Sequence, residues 1–156
     1  MFGLGKIKFM PGTFGSLATT ILLFYLFHSQ NISSNTILIG LIIIFIYSFY
    51  AISSHTKGSK NKDPGEIIID EFLGQSIPIY LYEISHGTTK ENNEAIVYYV
   101  LFFILFRYFD IMKPFPVNFF DKNFKNSFGV IMDDICAGLY VVLTVVCFMI
   151  VKDFAL

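Results

Sequence analysis

Apolar residues fill long stretches of this chain, and short polar clusters separate them. No Asp, Glu, Lys or Arg occurs in the 48 residues between Lys8 and Lys57, a stretch long enough for two helices and the polar turn at 28–35. Three more apolar runs follow, with charged residues near their ends. Helices are favoured for these runs, because an open sheet cannot be placed in lipid. The pattern predicts five apolar helices, at roughly 15–28, 36–53, 67–82, 95–112 and 135–151.

The composition places these helices in a membrane. The chain is 54% hydrophobic and 15% charged, with a mean hydropathy of +0.63, whereas soluble domains carry about 25% charged residues. Its 19 Phe and 9 Tyr are more aromatic side chains than the core of so small a domain can bury. We therefore predict one all-α domain over 1–156, a compact helical membrane protein. The net charge of −1 attracts no nucleic acid, so we expect no such partner.

Basic residues are divided unequally between the two sets of predicted helix ends. Nine of the 11 lie before the first helix, between the second and third, or around the loop between the fourth and fifth. The opposite set of ends has only Lys90 and Lys152. The positive-inside rule makes the basic side cytoplasmic. The polar clusters of the chain fall on that same side, at 5–16, 62–71, 107–116 and 129–134.

Carboxylates are dense at the start of the third apolar run, in KDPGEIIIDEFLGQ (62–75). Glu66 and Asp70 are four residues apart and share a helix face, which is unfavourable unless a cation or a basic side chain lies between them. Mg²⁺, which takes oxygen ligands, would suit such a pair. Asp63 and Glu66 also fit a capping box, so a structural role for both stays open. Asp70 and Glu71 lie within an apolar helix, where carboxylates are usually functional.

The last two clusters also contain acids with more than one interpretation. Arg107, Asp110 and Lys113 recur every three residues. They suit either a phosphate clamp beside a metal-binding aspartate or a local ion pair with an interfacial lysine. Asp133 and Asp134 open the fifth run, where acids also complement a helix dipole. Asp134 shares a face with small residues that allow close helix contact, so we predict that it faces the site.

The first cluster contains the glycine-rich segment PGTFGSL (11–17), which we predict to be a loop entering the first helix. Its glycines would let backbone N–H groups approach an anion, a weak signal when taken alone. Thr13 or Ser16 would cap the helix that follows.

Together, the four clusters resemble the signature segments of the phosphatidylglycerophosphatase A family. The segments are GKIKFMPGTFGSL, KDPGEIIIDEFLG, FRYFDIMKPFP and GVIMDDICAG, and their order and spacing match over nearly the whole chain. Members of that family are small helical, Mg²⁺-dependent phosphatases, mostly of bacterial inner membranes. They convert phosphatidylglycerophosphate to phosphatidylglycerol. The resemblance therefore implies a multi-pass enzyme of phospholipid biosynthesis whose site faces the cytoplasm.

The resemblance also implies roles for individual residues. The metal ligands, on one or two Mg²⁺, would be Glu66, Asp70, Glu71, Asp110 and Asp134. The groups that hold the phosphate would be Lys6, Thr13, Ser16, Arg107 and Lys113. The metal would polarise the phosphoryl oxygens, and the basic side chains would hold them as charge develops. Direct attack by water and an aspartyl-phosphate intermediate are both compatible with these residues, and the oligomeric state stays open.

A small cation transporter or channel subunit is the alternative interpretation, because intramembrane acids can form an ion path. That interpretation predicts acids at mid-bilayer depth or on both faces. Here the acids cluster at one rim, beside basic side chains that would repel a cation. A structural membrane subunit, whose rim charges only anchor it, is a further alternative, and it would not require both signs of charge on converging segments.

Overall fold

Six α-helices make up the part of the chain that the computed structural model describes, namely residues 10–58, 68–86, 92–124 and 126–155. The helices are α1 Pro11–Phe24, α2 Ser34–Gly58, α3 Ile69–His86, α4 Asn92–Met112, α5 Val117–Asn123 and α6 Ser127–Ala155. A π-helical turn, Tyr25–Ser29, extends α1. No strand occurs within these ranges, so the predicted all-α class is confirmed.

The first helix begins earlier than its sequence predicts. α1 starts at Pro11, so the segment 11–17 is helical and the prediction of a loop there is wrong. Proline suits a first helical position, because the N–H it lacks would have no partner there. Met10 precedes it in a left-handed conformation, with φ 49°. No described side chain caps this helix, so neither Thr13 nor Ser16 has the predicted capping role.

The other differences lie in the C-terminal third. α6 begins at Ser127 rather than 135, so Asp133 and Asp134 lie almost two turns inside the helix and do not open it. The interpretation that they complement a helix N-terminus is therefore wrong. The short helix α5 is absent from the predicted pattern. It follows Pro116, which fixes the backbone where α5 starts.

Within the described ranges, three helices are long and apolar enough to cross a membrane, over Ser34–Ser53, Asn93–Met112 and Ser127–Phe154. Their large apolar side chains are widely exposed, as expected for lipid-facing surfaces. α1 has 14 residues and extends about 21 Å, which is less than the roughly 30 Å thickness of a hydrocarbon core. α3 is longer but carries three acids. The chain is thus a membrane protein in which α1 and α3 pack among longer helices.

α3 is the central helix and packs against α1, α2, α4 and α6. Its closest contact is with α6, where Gly74 and Gly138 face each other. A Cβ on Gly74 would lie 2.5 Å from the carbonyl oxygen of Asp134 and 2.7 Å from the ring of Phe106. A Cβ on Gly138 would overlap the carbonyl oxygen of Gly74. Only glycine permits this approach, and it fixes α3 against the part of α6 that carries Asp134.

The helix directions bring polar segments together at one end of the bundle. Gly12 of α1 lies beside Glu71 of α3 and Arg107 of α4. At the opposite end, His28 after α1 lies beside Glu83 of α3. α1 and α3 therefore run in the same direction, and both begin at the end where α4 finishes.

Candidate active site

Three carboxylates from two helices converge at that end. Asp70 and Glu71 of α3 and Asp134 of α6 each place a carboxylate oxygen within 4.8 Å of the others. We call these three residues the acidic cluster. Asp70 is only 6% exposed and Asp134 only 4%. The position of Asp134 follows from the Gly74–Gly138 contact, which holds this turn of α6 against the start of α3.

The acidic cluster fits a hard divalent cation. Glu71 Oε2 and Asp134 Oδ1 are buried and have no hydrogen-bond partner among the described residues. The three carboxylates lie close together in a buried site, where they repel one another unless a positive charge lies between them. The donors are all carboxylate oxygens, which Mg²⁺ prefers over the nitrogen and sulfur ligands of softer metals.

Arg107 provides positive charge beside the acidic cluster. Its Nη1 lies 2.7 Å from Asp110 Oδ2, and both side chains are mostly buried. The local ion pair considered from the sequence therefore forms. Arg107 Nε has no hydrogen-bond partner in the described part of the chain, so the guanidinium keeps a donor for another anion. Asp110 is engaged with Arg107 and is not one of the three converging acids.

Gly12 brings α1 against these charged groups. A Cβ at Gly12 would lie 3.2 Å from Arg107 Nη1 and would overlap Glu71 Oε1. The absence of a side chain at this position therefore lets α1 form one wall of the site. The hydroxyl of Thr13, in the same turn, is buried with no hydrogen-bond partner among the described groups. The Ser16 hydroxyl instead donates to the carbonyl of Gly12 at 2.9 Å, so its donor is used within α1.

Lys113 ends α4 and links it to the next two helices. Its φ of 44° is left-handed, and its N–H donates to the carbonyl of Phe109 at 2.9 Å. Lys113 Nζ donates to Asp121 at 2.6 Å and to Asp133 at 3.3 Å. Burial lowers the pKa of Lys113, but the hydrogen bond that Lys113 donates to Asp121 and the charge of Asp133 outweigh that effect and raise the pKa overall.

The two adjacent aspartates of α6 thus have different surroundings. Asp134 belongs to the acidic cluster, whereas Asp133 contacts Lys113. Lys113 therefore lies in an ion-pair network beside the cluster, with Asp121 of α5 as its other partner. The sequence pattern does not identify Asp121 as a site residue, because α5 is too short to show a helical period.

Gln75 is a second residue that the sequence analysis does not select. It is fully buried, and neither its amide oxygen nor its amide nitrogen has a hydrogen-bond partner in the described ranges. It lies four residues after Glu71 and shares that face of α3. A glutamine among the apolar residues of a helix is the signal that would have identified it. Lys6 and Glu66, both candidate site residues, lie outside the described residues, as does Asp63.

Comparison with known proteins places the chain in a family. The sequence profile of the phosphatidylglycerophosphatase A family matches residues 1–149. The chain belongs to the phosphatidylglycerophosphatase A family. The resemblance of its four polar segments to that family is thereby confirmed, and the chain is a phosphoric monoester hydrolase with a phosphatase role in phospholipid synthesis.

Proteins similar to this chain include one from each of three bacteria. Phosphatidylglycerophosphatase A of Haemophilus influenzae is 37% identical over 144 residues, which cover 92% of this chain and 82% of the relative. Phosphatidylglycerophosphatase A of Escherichia coli is 31% identical over 140 residues, or 88% and 73% of the two chains. A Bacteroides thetaiotaomicron protein named "Putative phosphatidylinositol-3-phosphatase" is 32% identical over 142 residues, or 89% and 83%. No solved structure matches the chain.

Proposed function

We propose that this phosphatidylglycerophosphatase A family member hydrolyses the terminal phosphomonoester of phosphatidylglycerophosphate, giving phosphatidylglycerol and phosphate, and that it requires Mg²⁺. The acidic cluster supports this proposal most directly, because its buried and unpartnered carboxylate oxygens lie beside an arginine with an unused donor. A phosphomonoester close to a charge of −2 needs both kinds of group. The carboxylates bind a cation, and the arginine binds a phosphate oxygen.

Each residue of the site has a definite part in the proposed reaction. Asp70, Glu71 and Asp134 hold Mg²⁺, which when bound supplies Lewis-acid polarisation of the phosphoryl oxygens. Arg107 Nε, held in place by the ion pair with Asp110, donates to a phosphate oxygen and stabilises charge that develops there.

Two further groups complete the proposed phosphate site. The unpartnered Thr13 hydroxyl provides another donor from α1. Lys113 stays protonated and adds positive charge at the edge of the site, where Asp121 and Asp133 hold its ammonium group.

The lipid headgroup is proposed from the relatives. Two of those reported above are named for phosphatidylglycerophosphatase activity, and the third for an inositol phospholipid phosphatase. All three names describe removal of a phosphate from a phospholipid. Phosphatidylglycerophosphate is favoured because it is the substrate in the family name and in two of the three relatives.

The location that we propose is the bacterial inner membrane, with the site facing the cytoplasm. The helix ends nearest the acidic cluster adjoin most of the basic residues of the chain, as the positive-inside rule requires for cytoplasmic segments. A phosphorylated headgroup also lies at the membrane surface, which is where α1 and α3 begin and α4 finishes.

A cation transporter is disfavoured by the surroundings of Glu83, the buried acid at the other end of α3. An ion path would require open carboxylates along the bundle. Glu83 instead accepts a hydrogen bond from the Tyr99 hydroxyl at 2.9 Å and lies 3.8 Å from His28 Nε2. Among the described residues, the unpartnered acids are thus confined to the end of the bundle beside Arg107 and do not continue along it.

Phosphate release by purified protein tests the proposed function. With phosphatidylglycerophosphate in detergent micelles, we expect release in the presence of Mg²⁺, none in excess EDTA, and recovery when Mg²⁺ is restored. Ca²⁺ should support turnover poorly, because it favours longer bonds and looser coordination than Mg²⁺. Phosphatidylinositol 3-phosphate in the same assay tests the headgroup. Full turnover in excess EDTA would contradict the metal requirement, and faster hydrolysis of the inositol lipid would contradict the substrate.

A further inference from the structure

An apolar groove begins beside the acidic cluster and follows α3 away from it. Its volume is about 270 Å³, and it lies between α2, α3 and α6. Leu38, Ile42 and Phe45 of α2 form one wall, and Leu73 and Ile77 of α3 with Ile135 of α6 form the other. The surface that it exposes is entirely apolar.

The near end of the groove lies about one helical turn of α3 from the acidic cluster. Asp70, Leu73 and Ile77 follow one stripe of α3, at spacings of three and seven residues. On α6, Ile135 directly follows Asp134. A lipid whose phosphate is bound beside the acidic cluster therefore has the start of an apolar groove about one helical turn away.

The apolar lining of the groove favours an apolar group as its occupant. Ser76 is its one residue with an aliphatic hydroxyl, and that hydroxyl donates to the carbonyl of Phe72 at 2.6 Å, so it needs no partner from a ligand. The groove follows α3 from Leu73 to Leu81, about 12 Å along the helix axis, which is longer than a headgroup needs. Its α2 wall belongs to a helix able to cross a membrane.

We infer that this groove binds an acyl chain of the lipid whose phosphate lies against Arg107, beside the acidic cluster. The inference rests on the proposed function, because it assigns a second binding site to the same substrate. The groove holds the lipid in one orientation, with the phosphate against Arg107 and the tail between α2 and α3. It thereby makes hydrolysis depend on the tail as well as on the headgroup.

Two adjacent isoleucines of α2 provide a matched test. Ile42 lines the groove, whereas Ile43 does not, and both are substantially exposed, at 48% and 62%. We expect Ile42→Trp to raise KM for long-chain phosphatidylglycerophosphate about tenfold, the effect of displacing roughly two methylene groups from apolar contact. The same variant should hydrolyse the deacylated, water-soluble phosphomonoester at the wild-type rate. Ile43→Trp should match the wild type on both substrates.

The outcomes separate this inference from the proposed function. Equal effects of the two tryptophans, or an equal loss by Ile42→Trp on both substrates, would overturn the groove assignment while wild-type turnover leaves the proposed function standing. A wild-type protein that releases no phosphate from any lipid would overturn the proposed function, and the groove is then tested by binding alone.

Photo-crosslinking provides the binding test. Phosphatidic acid with a diazirine in one acyl chain should label groove residues of α2 and α3. Unlabelled phosphatidylglycerophosphate should reduce that labelling, and phosphatidylglycerol, which lacks the phosphomonoester, should not. Absence of groove adducts would overturn the inference, because the groove would then be closed to lipid. Equal reduction by both lipids would also overturn it, because the groove would then hold bulk lipid.

Discussion

Buried carboxylates occur at both ends of α3, and their surroundings are opposite. Glu83, near the C-terminal end, is 3% exposed, accepts a hydrogen bond from Tyr99 and lies beside His28. The acidic cluster at the N-terminal end is similarly buried, but Glu71 and Asp134 each keep an oxygen without a hydrogen-bond partner among the described residues. α3 thus carries one satisfied acid near one end and, at the other end, two members of a group whose oxygens are not all satisfied.

This difference indicates that Glu83 contributes to stability and that the acidic cluster contributes to function. Glu83 connects the π-helical turn, α3 and α4 through His28 and Tyr99, so the fold itself satisfies that charge. Among the described residues the acidic cluster has no comparable partner, and the mutual repulsion of its carboxylates opposes folding. A ligand that supplies positive charge relieves that repulsion. Burial of an acid is therefore a poor guide to function unless its partners are also counted.

The largest effect that the comparison predicts is on activity, from Asp134→Asn. The substitution keeps the shape of the side chain but removes a charge that a divalent cation needs. We expect the rate of phosphate release to fall about a hundredfold or more, equivalent to roughly 3 kcal/mol of transition-state stabilisation. Stability measured without metal should be equal or higher, because a buried, unpartnered charge has been removed.

The adjacent residue provides the control for that experiment. Asp133 contacts Lys113 and is not part of the acidic cluster, so Asp133→Asn should reduce activity much less. Equal losses of activity in two well-folded variants would show that Asp133 and Asp134 do not have the different roles that their contacts indicate. Titration with Mg²⁺ should show weaker activation for Asp134→Asn alone.

A smaller effect, on stability, is expected at the other end of α3. Glu83→Ala leaves the buried Tyr99 hydroxyl without its acceptor and removes the carboxylate beside His28, which should lower the free energy of unfolding by about 1–3 kcal/mol. Thermal unfolding in detergent measures that loss. Activity per folded molecule should match the wild type. A hundredfold loss of activity in a fully stable Glu83→Ala variant would contradict the assignment of a structural role to one end of α3 and a catalytic role to the other.

The smallest effect is expected for Asp121→Asn, which weakens the ion pair with Lys113. Both side chains are about a third or more exposed, so solvent screening limits the loss of stability to at most about 1 kcal/mol. The pKa of Lys113 is raised, so the stability that it contributes is present below its unfolded pKa of about 10.4 and is lost as the pH rises through the folded pKa.

A pH series of unfolding measurements checks that sign. The difference between wild type and Asp121→Asn should be constant from about pH 6 to pH 9 and should shrink at higher pH, as Lys113 loses its proton in both proteins. A difference that grows as the pH rises toward 10 would show that Lys113 is not the partner responsible.

Much of the fold follows from the hydropathy of the chain, because long apolar runs have few alternatives to helices in lipid. The starts of α1 and α6 do not follow. Glycine is a poor helix former, so Gly12 and Gly15 suggest a loop, but α1 stays helical through them because close packing overrides propensity. The start of α6 at Ser127 is hidden by polar residues on its first turns.

The candidate site was predictable in part, for a similar reason. Asp70, Glu71 and Asp134 are acids inside apolar runs, and that contrast is visible in sequence. The partners of Lys113 and the isolation of Gln75 are not visible in the sequence, because they depend on how separate helices are placed. Sequence patterns identify which residues are out of place in lipid, and only packing shows which of them remain unsatisfied.

The contact between Gly74 and Gly138 also determines how this enzyme tolerates mutation. The atom nearest to a methyl group at Gly74 is the carbonyl oxygen of Asp134, which is part of the backbone and cannot swing aside as a flexible side chain can. Gly74→Ala must therefore shift the turn of α6 that carries the Asp134 carboxylate. Lipid-facing positions of α3 and α6 tolerate substitution by other apolar residues. At this crossing, by contrast, a single added methyl group alters the active site without replacing any of its catalytic groups.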